Sequence, residues 1–305
     1  MARYPQAILI SCESPWDENE QLLEDVFRRQ VRMVYDAGFR HPYIFGTAGE
    51  GYAVDTARFR QIVSIFAEET RQEDVYPQVG VIGLSTATVI ERINIAREYG
   101  FKTFQISLPS WGMLNDEEIL KFFVDVCGAF PDCQFLHYNL PRTKRMLTGA
   151  DYRRIIDVVP NLVATKNTGG GEERAIDLLT NAPELQHFLG ENNFAYGILL
   201  GECSLLSSSG PMATKQAQAY FEAGLRRDRD EIFRWQKWFD GLLHDVLGPL
   251  LTQERMDGAY DKLIVRLGSL EEMPMRLLSP YGTFTEEEYQ QAKQVYDAQY
   301  RDRGI

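Results

Sequence analysis

The sequence predicts an α/β protein of one architecture, a (β/α)8 TIM barrel followed by a C-terminal helical extension. Three observations carry that expectation. Short apolar runs alternate with stretches of helical period from residue 6 to about residue 226. The runs are apolar without strict alternation, as strands buried on both faces of a parallel sheet are. After residue 226 the helical period continues and no strand-like run follows. The chain therefore divides into a barrel, residues 1–226, and a helical extension, residues 227–305.

The strands follow in order. The first is Gln6–Ser11, and Leu23, Phe27, Val31 and Val34 then share one helical face. Pro42–Gly46 is the second, followed by the face Phe59, Ile62, Val63 and Phe66. Tyr76–Ile82 is the third, with Val89, Ile93 and Ala96 after it, and Thr103–Ser107 the fourth, with Ile119, Phe122, Phe123 and Val126. Gln134–Asn139, Leu162–Lys166, Leu185–Gly190 and Cys203–Ser207 complete a set of eight. Helices are expected over Asp228–Leu247, Asp257–Leu267 and Thr285–Tyr300, with Trp235, Phe239 and Leu242 on one face of the first. The competing architecture is an open doubly wound sheet, which calls for a Gly-rich phosphate loop after an early strand. Neither Gly46-Thr47-Ala48-Gly49-Glu50-Gly51 nor Gly169-Gly170-Gly171 has that form.

Composition narrows the function classes. The chain has 305 residues, 44% hydrophobic and 25% charged, enough apolar material for a core. No run of about 18 apolar residues is present, so no membrane-spanning helix is expected. The start, Met1-Ala2-Arg3-Tyr4-Pro5, lacks an apolar signal-peptide region, and a cytoplasmic protein is expected. The net charge is −12 and the Lys and Arg residues are scattered. A nucleic-acid partner, which needs a basic stripe, is therefore not expected. An anionic substrate would have to be met locally, by backbone donors or one placed cation. Cys12, Cys127, Cys133 and Cys203 form no CxxC pair and are read as reduced, buried thiols. The four histidines show no zinc spacing, so no metal is expected.

Barrel chemistry sits at the C-terminal ends of the strands. The sixth strand runs Asn161-Leu-Val-Ala-Thr165 into Lys166. Burial lowers a lysine pKa, and a neutral amine attacks a carbonyl carbon to form a Schiff base. The alternative is a strand that stops earlier and a lysine that snorkels to the rim. The fifth strand ends Phe135-Leu-His137-Tyr138-Asn139-Leu-Pro141. Tyr138 is either a proton relay or a core tyrosine with a satisfied hydroxyl. Neighbouring strand residues face opposite ways, so a lumenal Tyr138 sends His137 toward the helices. After the second strand, Gly46 to Gly51 is either an anion-binding nest, with the Thr47 hydroxyl adding a bond, or a plain tight turn. Glu50 beside an anion would repel it, so a structural role, bonded to nearby backbone, is expected.

Together these segments resemble the dihydrodipicolinate synthase/N-acetylneuraminate lyase superfamily of pyruvate-linked class I aldolases, as a divergent member. Gly46-Thr-Ala-Gly-Glu50 is similar to the family's GTTGE or GSTGE, and Tyr138-Asn-Leu-Pro141 to its YNxP. Val163-Ala-Thr-Lys166 is similar to the strand that ends in its Schiff-base lysine, and the 28-residue gap from Tyr138 to Lys166 fits. Ser14-Pro-Trp-Asp17 is like its TPFD, and the likeness runs into the helical tail at Met275-Arg-Leu-Leu-Ser-Pro280.

The resemblance implies that Lys166 forms an imine with the ketone of a 2-oxo acid such as pyruvate. It implies that Tyr138 shuttles protons, and that Thr47 and the Ala48 N–H hold the substrate carboxylate. Leu206 is implied to set a backbone carbonyl against the imine, and Thr168 and Gly190 to meet the second half of the substrate. No metal or other cofactor is implied. The sequence departs at Pro109-Ser-Trp111-Gly112, where the synthase carries a tyrosine lent across a subunit interface. Trp111 cannot pass a proton on, which argues against synthase activity. Arg142 stands one position before the family's substrate-gripping arginine, and both Trp111 and Arg142 join the expected substrate-binding set. Glu191, Asn192 and Asn193 are either readers of substrate hydroxyls or loop and cap residues. The expected function is a class I aldolase or lyase that releases pyruvate from a 2-oxo acid or adds it to an aldehyde. The alternatives are a dihydrodipicolinate-type synthase, a sugar-acid dehydratase and a catalytically idle oxo-acid-binding barrel. A homo-oligomer, tetramer or dimer, is implied by the same likeness.

Overall fold

The computed structural model describes residues 2–268 and 270–304. Eight parallel strands close a barrel in chain order: β1 Ile8–Ser11, β2 His41–Ile44, β3 Gln78–Gly80, β4 Thr103–Ile106, β5 Gln134–Asn139, β6 Leu162–Asn167, β7 Gln186–Gly190 and β8 Ser204–Leu206. Between and after them lie α1 Glu24–Asp36, α2 Thr56–Glu69, α3 Thr86–Glu98, α4 Asp116–Gly128, α5 Gly149–Ile156, α6 Gly171–Asn181, α7 Glu191–Leu200 and α8 Thr214–Arg226. The TIM barrel read from the periodicity is the fold of the chain. Several strands are shorter than their apolar runs. β2 stops at Ile44 because Phe45 turns into the left-handed region at φ 60°, which ends strand pairing and starts the loop at Gly46.

Two cores share the sheet. Tyr4, Ala7, Leu9, Tyr43, Leu136, Ala164, Phe188 and Leu206 fill the lumen, and Tyr4 plugs its N-terminal end. A larger shell packs the outer strand faces against the helices, where Phe27, Phe59, Phe66, Phe123 and Phe194 are fully buried. Each such phenyl ring contributes about 1.5–3 kcal/mol relative to exposure. The period-2 rule sorts the polar residues between them. His137 faces outward, bonded to the Tyr152 hydroxyl of α5 at 2.7 Å, while Tyr138 faces the lumen. Burial lowers His137 to about 3, so its ring stays neutral. All four cysteines are free and buried. No described helix is long and apolar enough to cross a membrane.

The extension comprises α9 Arg229–Leu242, α10 Asp257–Gly268 and α11 Glu286–Gln299. The Asp228–Leu247 stretch is not one α-helix. It passes into a π-turn over Leu243–Leu247 and a 3₁₀ turn over Gly248–Gln253, where Pro249 brings no N–H donor. α10 is fastened to the barrel by a buried ion pair. Lys262 Nζ lies 2.6 Å from Glu50 Oε1 with both side chains fully enclosed. Glu50 also accepts the Trp16 indole N–H at 2.8 Å and the Leu278 N–H at 2.7 Å, and Lys262 donates to the Arg276 carbonyl. Glu50 thus holds the turn after β2 to α10 and to the chain beyond it. Lys262→Met leaves a buried carboxylate without its cation and is expected to cost about 3–5 kcal/mol, read as a lower urea midpoint. The double variant Glu50→Gln/Lys262→Met is expected to lose less, because no charge is stranded.

Candidate active site

The site is built at the C-terminal mouth of the lumen. β5 and β6 pair so that Tyr138 stands directly beside Lys166. Paired residues share a face of the sheet, so both side chains enter the lumen. Lys166 is 2% exposed. Its amine is held between two phenols, with Nζ 4.1 Å from the Tyr43 ring centre and 4.0 Å from that of Tyr138. Nζ donates to the Tyr43 hydroxyl at 2.8 Å. Of the two sequence readings of Lys166, the snorkelling one does not describe this chain.

Burial pulls the Lys166 pKa down to about 7, and the nearby carboxyls of Asp261, Asp257 and Glu13 limit the fall. Near neutral pH a large fraction of this amine is therefore uncharged and holds a free lone pair. The Tyr138 hydroxyl is pushed up to about 12 by burial, opposed by hydrogen bonds from Thr47 and Thr168. It is a protonated donor in the resting protein.

The turn after β2 forms the opposite wall. The Thr47 hydroxyl lies 3.2 Å from the Tyr138 hydroxyl. Gly46 is required for the approach of the two walls, since a Cβ there would stand 3.1 Å from Lys166 Nζ and 2.8 Å from the Tyr43 ring. Gly49 and Gly51 are equally confined, because a Cβ on either would run into the Phe45 backbone, at 2.6 and 2.4 Å. The turn closes with Glu50 N–H on the Thr47 carbonyl and Gly51 N–H on the Gly46 carbonyl, both at 3.2 Å. No acceptor among the described residues meets the Thr47 or Ala48 N–H, so a tight turn and a set of free donors coexist here.

The remaining expected site residues fall into two groups. Thr168 follows β6 and reaches Tyr138. Gly190 and Leu206 are register partners at the ends of β7 and β8. These lie on the same mouth as Lys166. Arg142 and Trp111 stand farther out. Arg142, in the turn after β5, is ion-paired with Asp257 at 2.8 Å. The Trp111 ring is 84% exposed, and its carbonyl accepts from Lys144 at 2.6 Å. Glu191 is buried and bonds to Ser209, accepting its N–H at 2.8 Å and its hydroxyl at 2.6 Å. It holds the loop after β8 from the first turn of α7. A surface hollow of about 580 Å³ beside Trp16 and Met275 is lined by none of these residues.

Sequence reasoning missed Tyr43 and Asp261. Tyr43 had a signal, since it is three residues before Gly46 and two after His41 on an alternating strand. Asp261 had none, because its position depends on how α10 docks.

Comparison with known proteins gives the chain its family and its fold relatives. The model of the Dihydrodipicolinate synthetase family matches residues 5–299. N-acetylneuraminate lyase of Salmonella typhimurium is 25% identical over 203 residues, 66% of this chain and 68% of the relative. Among solved structures, CdNal from Clostridium difficile in complex with mannosamine superposes with a TM-score of 0.85 at 17% identity, covering 97% of this chain and 99% of that one. YagE of E. coli K12, in complex with pyruvate, gives 0.84 at 16% identity, with 96% and 98% covered. The dihydrodipicolinate synthase of Aquifex aeolicus gives 0.85 at 15% identity, with 96% and 98% covered. The structural likenesses speak for the fold and the family model for descent: this chain belongs to the Dihydrodipicolinate synthetase family, within the dihydrodipicolinate synthase/N-acetylneuraminate lyase superfamily.

Proposed function

We propose that the protein is a Schiff-base (class I) aldolase or lyase that acts on a 2-oxo acid, with Lys166 as nucleophile. The observation that carries this reading is the enclosed Lys166 amine, with a pKa of about 7, between two phenols and across from the Thr47 turn.

The neutral amine gives its lone pair to the keto carbon. The carbonyl π pair moves to oxygen, which takes a proton from Tyr138. The nitrogen then returns a proton to Tyr138, which passes it to the hydroxyl, and water departs. A protonated imine remains. Thr47 Oγ1 and the Thr47 and Ala48 N–H groups hold the carboxylate meanwhile, and the Leu206 carbonyl faces the imine. In cleavage, Tyr138 as phenolate removes the proton of the hydroxyl on C4. The C3–C4 bond breaks, its electron pair passes into the enamine, and an aldehyde leaves. Tyr138 returns the proton to C3, and water frees pyruvate from Lys166. Addition is the reverse. Thr168 and Gly190 lie along the path of the second half, with Trp111 and Arg142 at the entrance. A synthase relay through the Trp111 position lacks a titratable group, which disfavours that alternative.

The test is mass measurement after incubation with pyruvate and borohydride. A reduced adduct on Lys166 is expected, and its absence refutes the reading. The pH dependence gives a second check. Because the folded pKa of Lys166 is lowered to about 7, the reactive form is lost below that pH and saturates above it. An acid limb of kcat/KM with an apparent pKa near 7 is expected; a limb near the ordinary lysine value contradicts it.

A further inference from the structure

Asp261 is a half-buried titratable group that the steps above do not use. It lies on α10, one turn beyond Asp257 and three residues after Gly258. That first turn is tied to the mouth at both flanks. Asp257 pairs with Arg142 at 2.8 Å, and a Cβ on Gly258 would be 3.4 Å from the Thr47 carbonyl. Residues three and four apart share a helix face, so Asp261 faces the same opening. Lys262, its neighbour, is anchored away from the opening on Glu50.

Among the described residues, no hydrogen bond or ion pair reaches the Asp261 carboxyl. It stands in the electrostatic field of Lys166, Tyr43 and Tyr138, and of the carboxyls of Glu13, Asp257 and Glu191. Glu13 is occupied by Ser11 at 2.5 Å and by Gln30, and Glu191 by Ser209. Three cations of the mouth are spoken for as well. Lys262 is paired with Glu50 and Arg142 with Asp257, and Lys166 is consumed in the imine. Burial and the neighbouring carboxyls push Asp261 well above the usual carboxylate range. No group of three or more His, Cys, Asp or Glu among the described residues is arranged to hold a metal ion.

We infer that Asp261 selects the second half of the substrate by charge: the aldehyde partner carries an ammonium and not a carboxylate. This inference rests on the Schiff-base reading above. A cationic aldehyde supplies the counter-charge that Asp261 lacks. An aldehyde bearing a carboxylate meets a like-charged or reluctantly neutral acid, with Lys262 and Arg142 already paired to other carboxylates.

The test runs in the direction of addition, with pyruvate and three aldehydes. Betaine aldehyde carries a quaternary ammonium, 3,3-dimethylbutanal is its uncharged isostere, and succinate semialdehyde bears a carboxylate. In the unaltered protein the cation is expected to exceed its isostere at least tenfold in kcat/KM, and the carboxylate-bearing aldehyde to trail the isostere. In Asp261→Asn the ratio of cation to isostere falls at least tenfold and the ratio of carboxylate to isostere rises, a pattern that general loss of structure does not produce. Absence of the tenfold advantage in the unaltered protein overturns the inference whether or not the variant folds. Ratios unmoved in a folded variant overturn it too. Trapping of the pyruvate adduct is scored separately. An adduct with the wrong order of charges sinks only this inference, and no adduct sinks the Schiff-base reading itself.

Discussion

Lys166→Ala is expected to form no borohydride-reducible adduct with pyruvate and to lose at least about 10⁴-fold in turnover, the scale seen when a covalent nucleophile is removed. The second enclosed lysine among the described residues cannot substitute. Lys262, also enclosed, is 2.6 Å from Glu50 and holds the extension to the barrel. The effect on stability should run the other way from the effect on activity. Holding an ammonium in the lumen is costly, which is why the amine is so readily neutralised. Lys166→Met fills much of the same space without that cost and is expected to be at least as stable as the parent in urea. Pyruvate release that persists in Lys166→Ala would remove the amine from the mechanism.

Tyr138→Phe is expected to lower kcat by about 10²–10⁴, the usual contribution of a positioned acid–base group, while leaving KM for the oxo acid within a few-fold. The substitution keeps the ring against the Lys166 amine, 4.0 Å away, and removes only the hydroxyl that meets Thr47 at 3.2 Å. Slow formation of the pyruvate adduct should accompany slow turnover, because the same hydroxyl serves carbinolamine collapse and the carbon–carbon step. An unchanged kcat would assign the proton transfers elsewhere, and Tyr43, which already touches the amine at 2.8 Å, is the group to examine next.

Much of the site was legible because it follows from short-range rules. A lysine at the end of an apolar strand and a tyrosine at the end of the one before it are placed side by side by parallel pairing. That pairing turns a 28-residue separation into contact. The same alternation that brings Tyr138 inward sends His137 out to Tyr152, as the sequence implied. The structural role expected of Glu50 follows from like-charge repulsion. Its main partner, Lys262, comes from 212 residues away and has no signature in the motif itself.

The chain's periodicity and strand-end residues determined by themselves the closed barrel, the helical tail, and the candidates Thr47, Tyr138 and Lys166, since these depend on local pattern and on pairing between neighbouring strands. Tertiary structure alone decided that the Lys166 amine is enclosed and easily neutralised, that Tyr43 is its hydrogen-bond partner, and that α10 brings Asp257 and Asp261 over the mouth. Desolvation and electrostatic proximity are sums over segments far apart in sequence, and they acquire a value only when those segments are packed together.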